Sequence, residues 1–375
     1  MIRLLRFFFY SFDNSLLFLL FISLLSGFVS PEITWLAPFI SFAFPVLFVL
    51  YFCFLVYAFF RKRKWKIKLL ILIALAFFYF KNQISFSSNK SESTDFRVMG
   101  FNARLFDIYN WIDRKAWADW TPRTDNGRIL NNIYSNIKEV DADVICLQEY
   151  YNQKKSAYAT KDTLKKYGYK YKHIKFLSEG KSHGVFHQYG IATFSKYPII
   201  NTVDFDKDQG FSNGALITDI KIKLDTVRVI NVHFNSYRLS KENYHTLKLI
   251  KNIEKDSLES VDFFNLIETA ERGISSRWSE IKKIKSIANE SPYPIIISCD
   301  LNEAPNTFGY KHLRKNLNDA FLESGFGTGS TMVSSYPLRI DYLFSSSNLK
   351  TYNFDKGEDE ISDHYPIWTD YVIEK

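Results

Sequence analysis

Six stretches of this sequence end or begin an apolar run on a residue that can ligate a metal ion or move a proton. FRVMGFN stops at Asn102, DVICLQE at Glu149, VRVINVHF at the residue after His233, and PIIISCDLN at Asp300 and Asn302. RIDYLF contains Asp341, and SDHYPIW carries Asp363 beside His364. One acid or amide at the end of a strand is usually a turn former. Six such positions in one chain suggest loops converging on one edge of a sheet. The residue types fit a single task. Glu149, Asp363 and the amide oxygen of Asn102 are hard oxygen donors suited to Mg²⁺ or Mn²⁺, and no Cys/His cluster has zinc spacing. His233 and His364 supply acid–base capacity near neutral pH. Carboxylates for a metal and imidazoles for protons are the equipment of metal-assisted phosphate-ester hydrolysis.

The elements that must hold these residues follow from periodicity. Residues 96–102 alternate as a strand, Ile129, Ile133 and Ile137 recur at helical spacing, and 143–149 form a short apolar strand. Residues 189–199, 213–222 and 227–234 follow as strands with short polar turns, which favours antiparallel pairing. Residues 240–289 are helix-like and charged, 294–302 return to a buried strand, and 339–344 with 365–373 close the domain. Strands interleaved with helices in one long domain predict an α/β sandwich: two packed, mainly antiparallel sheets with helices outside.

The first ninety residues are of another kind. They hold 10 of the 48 Lys and Arg but only two acids, Asp13 and Glu32, leaving 38 bases and 38 acids in residues 91–375. The net charge of +8 therefore lies in the amino-terminal part. The remainder lacks the overall excess of bases expected of a protein that binds nucleic acid by phosphate neutralisation alone. Apolar blocks at about 7–29, 36–60 and 67–80 predict two to three transmembrane helices in residues 1–81. The third block is short for a span. Arg3 and Arg6 precede the first block, and RKRKWKIK separates the second from the third. By the positive-inside rule, three spans place the amino terminus in the cytoplasm and the large domain outside the cytoplasmic membrane; two spans keep that domain inside. Residues 82–95 are Ser- and Asn-rich and read as a linker, leaving 96–375 as the catalytic domain. Cys53 lies in a span, and Cys146 and Cys299 read as buried small hydrophobes without a disulfide framework.

GFNAR, CLQE, YGIATFSKYPI, NVHF, CDLNEAP, RIDYLF and SDHYPI, in that order, resemble the motifs of the endonuclease/exonuclease/phosphatase superfamily. That group includes deoxyribonuclease I, abasic-site endonucleases, neutral sphingomyelinases and inositol-polyphosphate 5-phosphatases. The resemblance runs from about Phe96 to the end and implies a deoxyribonuclease I-like four-layer sandwich. It implies that Asn102 and Glu149 hold the metal with Asp363 close by, and that His364 is the base or water-orienting group, steered by Asp341. Asp300 would align or deprotonate the attacking water, and Asn302 would donate to the phosphate or scaffold Asp300. His233 would stabilise the pentacovalent phosphate or protonate the leaving oxygen. The chain departs from the pattern at Cys299, where the family often has Gly, and in the length of 240–289, whose Arg-bearing helices would form a side wall to the site. The expected activity is a membrane-anchored, Mg²⁺- or Mn²⁺-dependent phosphodiesterase acting on nucleic acid. The alternatives are a phospholipid or sphingolipid head-group phosphodiesterase, an inositol-phosphate phosphatase, or a non-catalytic scaffold retaining the fold. His183 and His187 read as loop residues, and His173, His245 and His312 as surface residues. Trp111, Trp117 and Trp120 read as core or as the lining of a substrate groove.

Overall fold

A computed structural model of the chain describes residues 2–60, 65–114, 127–182, 185–236, 263–333 and 338–374. The chain divides into two units, Met1–Ile84 with Glu303–His312, and Ser85–Asn302 with Leu313–Lys375. In the first unit the apolar blocks become helices α1 (Ile2–Ser26), α2 (Ala37–Phe42), α3 (Phe44–Phe60) and α4 (Lys66–Phe80). Pro38 sits in the first turn of α2, where a missing N–H costs nothing. Residues Ala37–Phe60 are long and apolar enough to cross a membrane; the apolar helix Ser11–Ser26 is shorter. At 15 residues and about 1.5 Å per residue, α4 also falls short of a span. The helices pack through Leu20, Phe44, Tyr51, Leu55, Leu72 and Tyr79, with Phe44 stacked on Tyr79 at 4.1 Å between centroids. One polar cluster ties three of them: Asp13 of α1 accepts from the Tyr51 hydroxyl (3.1 Å) and pairs with Lys68 of α4.

The segment 303–312 is held against the ends of α1 and α2. Lys311 Nζ donates to the Gly27 carbonyl (2.8 Å) and lies 3.5 Å from the centroid of Phe28. The Asn306 amide donates to Ser41 Oγ. A Cβ on Gly27 would stand 2.1 Å from the Asn306 carbonyl oxygen, so only glycine permits this approach.

The second unit contains two six-stranded sheets among its described residues. One has the order β13 (Leu349–Lys356), β14 (Ile367–Ile373), β2 (Phe96–Asn102), β3 (Val144–Asn152), β5 (Val185–Ser195) and β4 (Tyr171–Ser182). The other runs β10 (Asn318–Asp319), β12 (Asp341–Ser345), β9 (Ile295–Asp300), β8 (Asp225–His233), β7 (Ala215–Ile222) and β6 (Ile199–Phe205). Each contains one parallel pair, β2 with β3 and β8 with β9, and its other pairings are antiparallel. A parallel pair needs a crossover, usually helical. The first is made through α5 (Trp111–Arg114) and α6 (Gly127–Val140), and α8 (Phe263–Asn289) lies in the second, α7 (Thr160–Lys166) standing between β3 and β4. The sheets face each other across Val98, Cys146, Val229, Ile296 and Leu343. Gly100 is required there, because a Cβ would meet Ser298 Oγ at 2.5 Å. A buried amide pair also crosses this core: Gln148 Nε2 donates to Asn231 Oδ1 at 2.7 Å. On the outer face, Ile129, Ile133 and Ile137 of α6 pack on Met99, Ile145 and Phe194. Each such burial stabilises by roughly 1.5–3 kcal/mol.

The expected sandwich is the fold that forms, with local differences that have physical reasons. The single strand read across 189–199 divides at Lys196–Pro198 into β5 and β6, which join different sheets. Proline has no N–H for a ladder, and the break lets the chain change layers. β4 (YKHIKFLSEGKS) and β13 (LKTYNFDK) lack clean alternation, and each is an outermost strand of its sheet, where charged residues guard the open edge. The segment 82–95 is tied down. Ser85–Phe86 form β1 and pair with β11 (Phe326–Gly327), and Asn353 bonds the backbone of both Asn89 and Ser91. Cys146 and Cys299 are buried as expected, and the three cysteines are free. Of the helix-like stretch 240–289, the part before residue 263 lies outside the described residues.

Candidate active site at the parallel strand ends

Strands β2, β3, β8 and β9 finish on the same edge of the sandwich, and the antiparallel β12 and β14 begin there. Asn102 is the last residue of β2, His233 of β8 and Asp300 of β9; Asp341 is the first of β12; Asp363 and His364 precede β14. Carboxyl ends of parallel strands are where α/β proteins place ligands, because loops can fan out there without breaking the ladder. Glu149 lies inside β3 at a register shift between Leu147 and Tyr150, with φ of 47°. The bulge turns its carboxylate out of the pleat toward Asn102.

The distances join these residues into one group. Asn102 Nδ2 lies 3.2 Å from Glu149 Oε1 and 3.0 Å from Asp300 Oδ2. The same Asp300 oxygen is 3.4 Å from His233 Nε2 and 3.8 Å from His364 Nε2. Asp341 Oδ2 stands 2.9 Å from His364 Nδ1. Asn302, with φ of 53°, donates its side-chain amide to the Phe234 carbonyl (3.1 Å) and its N–H to Asp300 Oδ1 (3.0 Å). It scaffolds the Asp300 turn. Asp363 is joined through its neighbour: Ser362 Oγ donates to the Asn102 carbonyl (2.9 Å) and accepts the His364 N–H (3.3 Å).

The two ends of this group differ in chemistry. Asp300, Asp341 and His364 are all at least 94% buried, and their ligand atoms lie within 4.8 Å of one another. Burial alone would drive the His364 imidazolium toward neutrality, but Asp341 and then Asp300 outweigh it and hold its pKa well above the ordinary value. Burial in turn pushes the Asp341 carboxyl up, with Asp300 adding to the rise and His364 opposing it. The flanking carboxylates thus favour the protonated imidazole. At the other end the donors are oxygens. The Asn102 amide offers its nitrogen to Glu149 and Asp300 while its oxygen accepts from Arg104 N–H at 3.0 Å. Turned over, the amide would set three oxygens around one point, an arrangement that a cation holds together. The three oxygens are those of Asn102, Glu149 and Asp300, a donor set of the kind a hard divalent ion takes, while the Asp363 carboxylate, a quarter exposed, is engaged by Arg104.

Sequence reading passed over Arg104, two residues beyond Asn102. Its guanidinium pairs with Asp363 Oδ2 (3.0 Å) and lies 4.2 Å from the Trp111 ring centroid. Arg104, Leu105, Phe106 and Asp107 are consecutive left-handed residues, with φ between 41° and 56°. Each costs roughly 1–2 kcal/mol without glycine. Phe106, Asp107 and Trp111 are buried, and the Asp107 carboxylate accepts the Trp111 N–H (2.8 Å), which over-determines the turn. Only the spacing Asn-x-Arg hinted at it. Trp111 is thus core, packed beneath Arg104, while Trp117 and Trp120 lie outside the described residues.

The remaining histidines need correction. His187 is buried in β5 and bonded to the Tyr151 hydroxyl at 2.6 Å, because its strand register turns it inward. His173 is buried in β4 against Thr218 Oγ1 at 2.9 Å, and His312 is half-buried beside Phe308. His183 and His245 lie outside the described residues.

A family model described as the endonuclease/exonuclease/phosphatase family matches residues 101–364. A second, described only as a domain of unknown function, matches residues 6–83. No curated protein matches the chain. A similar solved structure is an endonuclease/exonuclease/phosphatase from Beutenbergia cavernae DSM 12333, 14% identical over 75% of this chain and 72% of that one, with a TM-score of 0.51. Two others are a family protein from Leptotrichia buccalis C-1013-b (15% identity, 74% and 100% covered, TM-score 0.48) and the human nocturnin catalytic domain with bound sulfate (16%, 74% and 94%, 0.47).

Proposed function

Because the chain belongs to the endonuclease/exonuclease/phosphatase family, whose hydrolases act on phosphate esters, we propose that it is a membrane-anchored, divalent-metal-dependent phosphodiesterase. The observation that carries this reading is the unbroken path Glu149–Asn102–Asp300–His364, with steps of 3.2, 3.0 and 3.8 Å. Groups so close can share one phosphoryl centre. Glu149, Asn102 and Asp363 would hold Mg²⁺ or Mn²⁺, which when bound offsets phosphate charge and lowers the pKa of water.

The chain's own groups do the rest. Asp300, receiving Asn102 on one side and facing both imidazoles on the other, orients the attacking water and takes its proton. His364, kept cationic by Asp341 and Asp300, donates toward a phosphoryl oxygen rather than acting as the base. His233, on the far side of the same Asp300 oxygen, is placed to protonate the leaving oxygen. Arg104 neutralises Asp363 until substrate arrives and then offers its guanidinium to the phosphate.

The preferred substrate is a nucleic-acid phosphodiester. A lipid head-group phosphodiester is the second reading, favoured by the apolar run Ala37–Phe60 and by the exposed Phe18, Val46, Phe60 and Ile67 of the helical unit. The test is the full-length chain in nanodiscs with Mg²⁺, offered plasmid DNA, RNA and phospholipid vesicles. Nicking that EDTA abolishes is expected. Head-group release without nicking would select the lipid reading, and inertness toward all three with intact folding would leave the scaffold.

A further inference from the structure

Helix α8 buries two charges on its core-facing side. Arg277 and Glu280 are each 0% exposed, among Ile274, Ile281 and Ile284. Three residues apart, they share one face of the helix. Ion pairs inside a core seldom stabilise more than apolar residues of the same volume, so packing does not account for them. Their backbone partners do. Arg277 Nη1 donates to the Asn302 carbonyl, and Glu280 Oε2 accepts the Asn235 N–H at 2.7 Å. Asn302 follows β9 and Asp300; Asn235 follows β8 and His233. The two loops are also bonded to each other, Phe234 N–H to the Asp300 carbonyl (3.0 Å) and Asn302 Nδ2 to the Phe234 carbonyl (3.1 Å).

We propose that Arg277 and Glu280 are positioning residues that use α8 as a ruler, bracing the loops just beyond His233 and Asp300 where the β8–β9 ladder ends. The inference rests on the phosphoesterase reading and adds to it a part played by residues that touch no substrate. The crossover connecting the two parallel strands also sets how their ends face one phosphoryl group. Displacing one reacting group by about 1 Å can cost about 10²-fold in rate. Two of the residues that would hold the metal, Asn102 and Glu149, lie on the other parallel pair, and Asp363 precedes β14, so metal affinity is expected to change little.

The experiment uses the full-length protein in nanodiscs with bis(p-nitrophenyl) phosphate and Mg²⁺, comparing wild type with Arg277→Met, Arg277→Lys and Glu280→Gln. Arg277→Met is expected to lower kcat by about 10²-fold, with KM and the Mg²⁺ activation constant within about twofold. Arg277→Lys restores most of the rate, because an ammonium can still donate to Asn302. Glu280→Gln, which keeps an acceptor for Asn235, loses less. Side-chain ¹⁵N-histidine spectra of the same samples supply a readout independent of turnover: the His233 ring signal moves in Arg277→Met and the His173 signal does not. Unchanged kcat and an unchanged His233 signal in Arg277→Met overturn the proposal. So does a loss of rate that lysine does not rescue and that comes with a lowered Tm and movement of every histidine signal. If wild type hydrolyses no phosphodiester, the functional reading fails while the histidine spectra still decide the ruler.

Discussion

The ends of β2–β3 and β8–β9 are made by the same device, a parallel pair joined by a crossover, yet they arrive at different chemistry. At the first, left-handed backbone turns Glu149 toward Asn102 and Arg104 toward a partly exposed Asp363. At the second, His233 and Asp300 end their strands in register with each other, and Asp341 and His364 close over them out of water. On the function proposed, the first end would exchange a cation and its water, and the second would handle protons. A strand edge alone therefore does not define the chemistry. The local backbone and the depth of burial do.

The strongest way to break this division is Asp300→Asn, because Asp300 faces Asn102, His233 and His364 together. Turnover of the phosphodiester that wild type cleaves should fall by about 10⁴-fold at saturating Mg²⁺, the upper end for loss of an acid–base group. Glu149→Gln tests the other end. It should raise the Mg²⁺ needed for half-maximal rate by about 10–100-fold while high Mg²⁺ recovers activity; a magnesium titration reads the shift. Arg104→Met leaves both ends in place and removes the cation that faces Asp363. KM should rise about tenfold, the scale of one charge-assisted hydrogen bond, with kcat nearly kept.

The smallest effect sharpens the contrast between buried histidines. His364 lies between carboxylates that raise its pKa. In His173, burial dominates and lowers the pKa, with Asp204 opposing. Here the unfolded chain binds the proton more readily. Stability is complete above the ordinary value near 6.5 and declines as pH falls from there toward the lower folded value. His173→Gln should flatten that decline in urea unfolding between pH 6.5 and 5, at about 1 kcal/mol or less.

Much of this was legible in the sequence because strand ends advertise themselves. An apolar run that stops on Asn102 or Asp300, or starts at Asp341, gives both the element and the polar group at its mouth. The buried face of α6 followed in the same way from Ile129, Ile133 and Ile137. What stayed hidden was non-local or backbone-borne. No residue type in NARLFD announces four left-handed residues, since glycine is absent. Arg277 and Glu280 look like any charged pair on a surface helix until the far ends of two strands are brought to them. His173 and His187 sit in a charged edge strand and a loop-like stretch, so their inward register was invisible.

The segment Glu303–His312 belongs with the amino-terminal helices although it is threaded through the middle of the hydrolase sequence. The polypeptide therefore passes between the two units three times, and a protease cut after Ile84 would sever only one of the connections. The fragment made by such a cut would carry Asn306 and Lys311 without Ser41 and Gly27, in a segment that begins one residue beyond Asn302. Release from the amino-terminal helices and an intact exit from β9 are, in this architecture, competing outcomes.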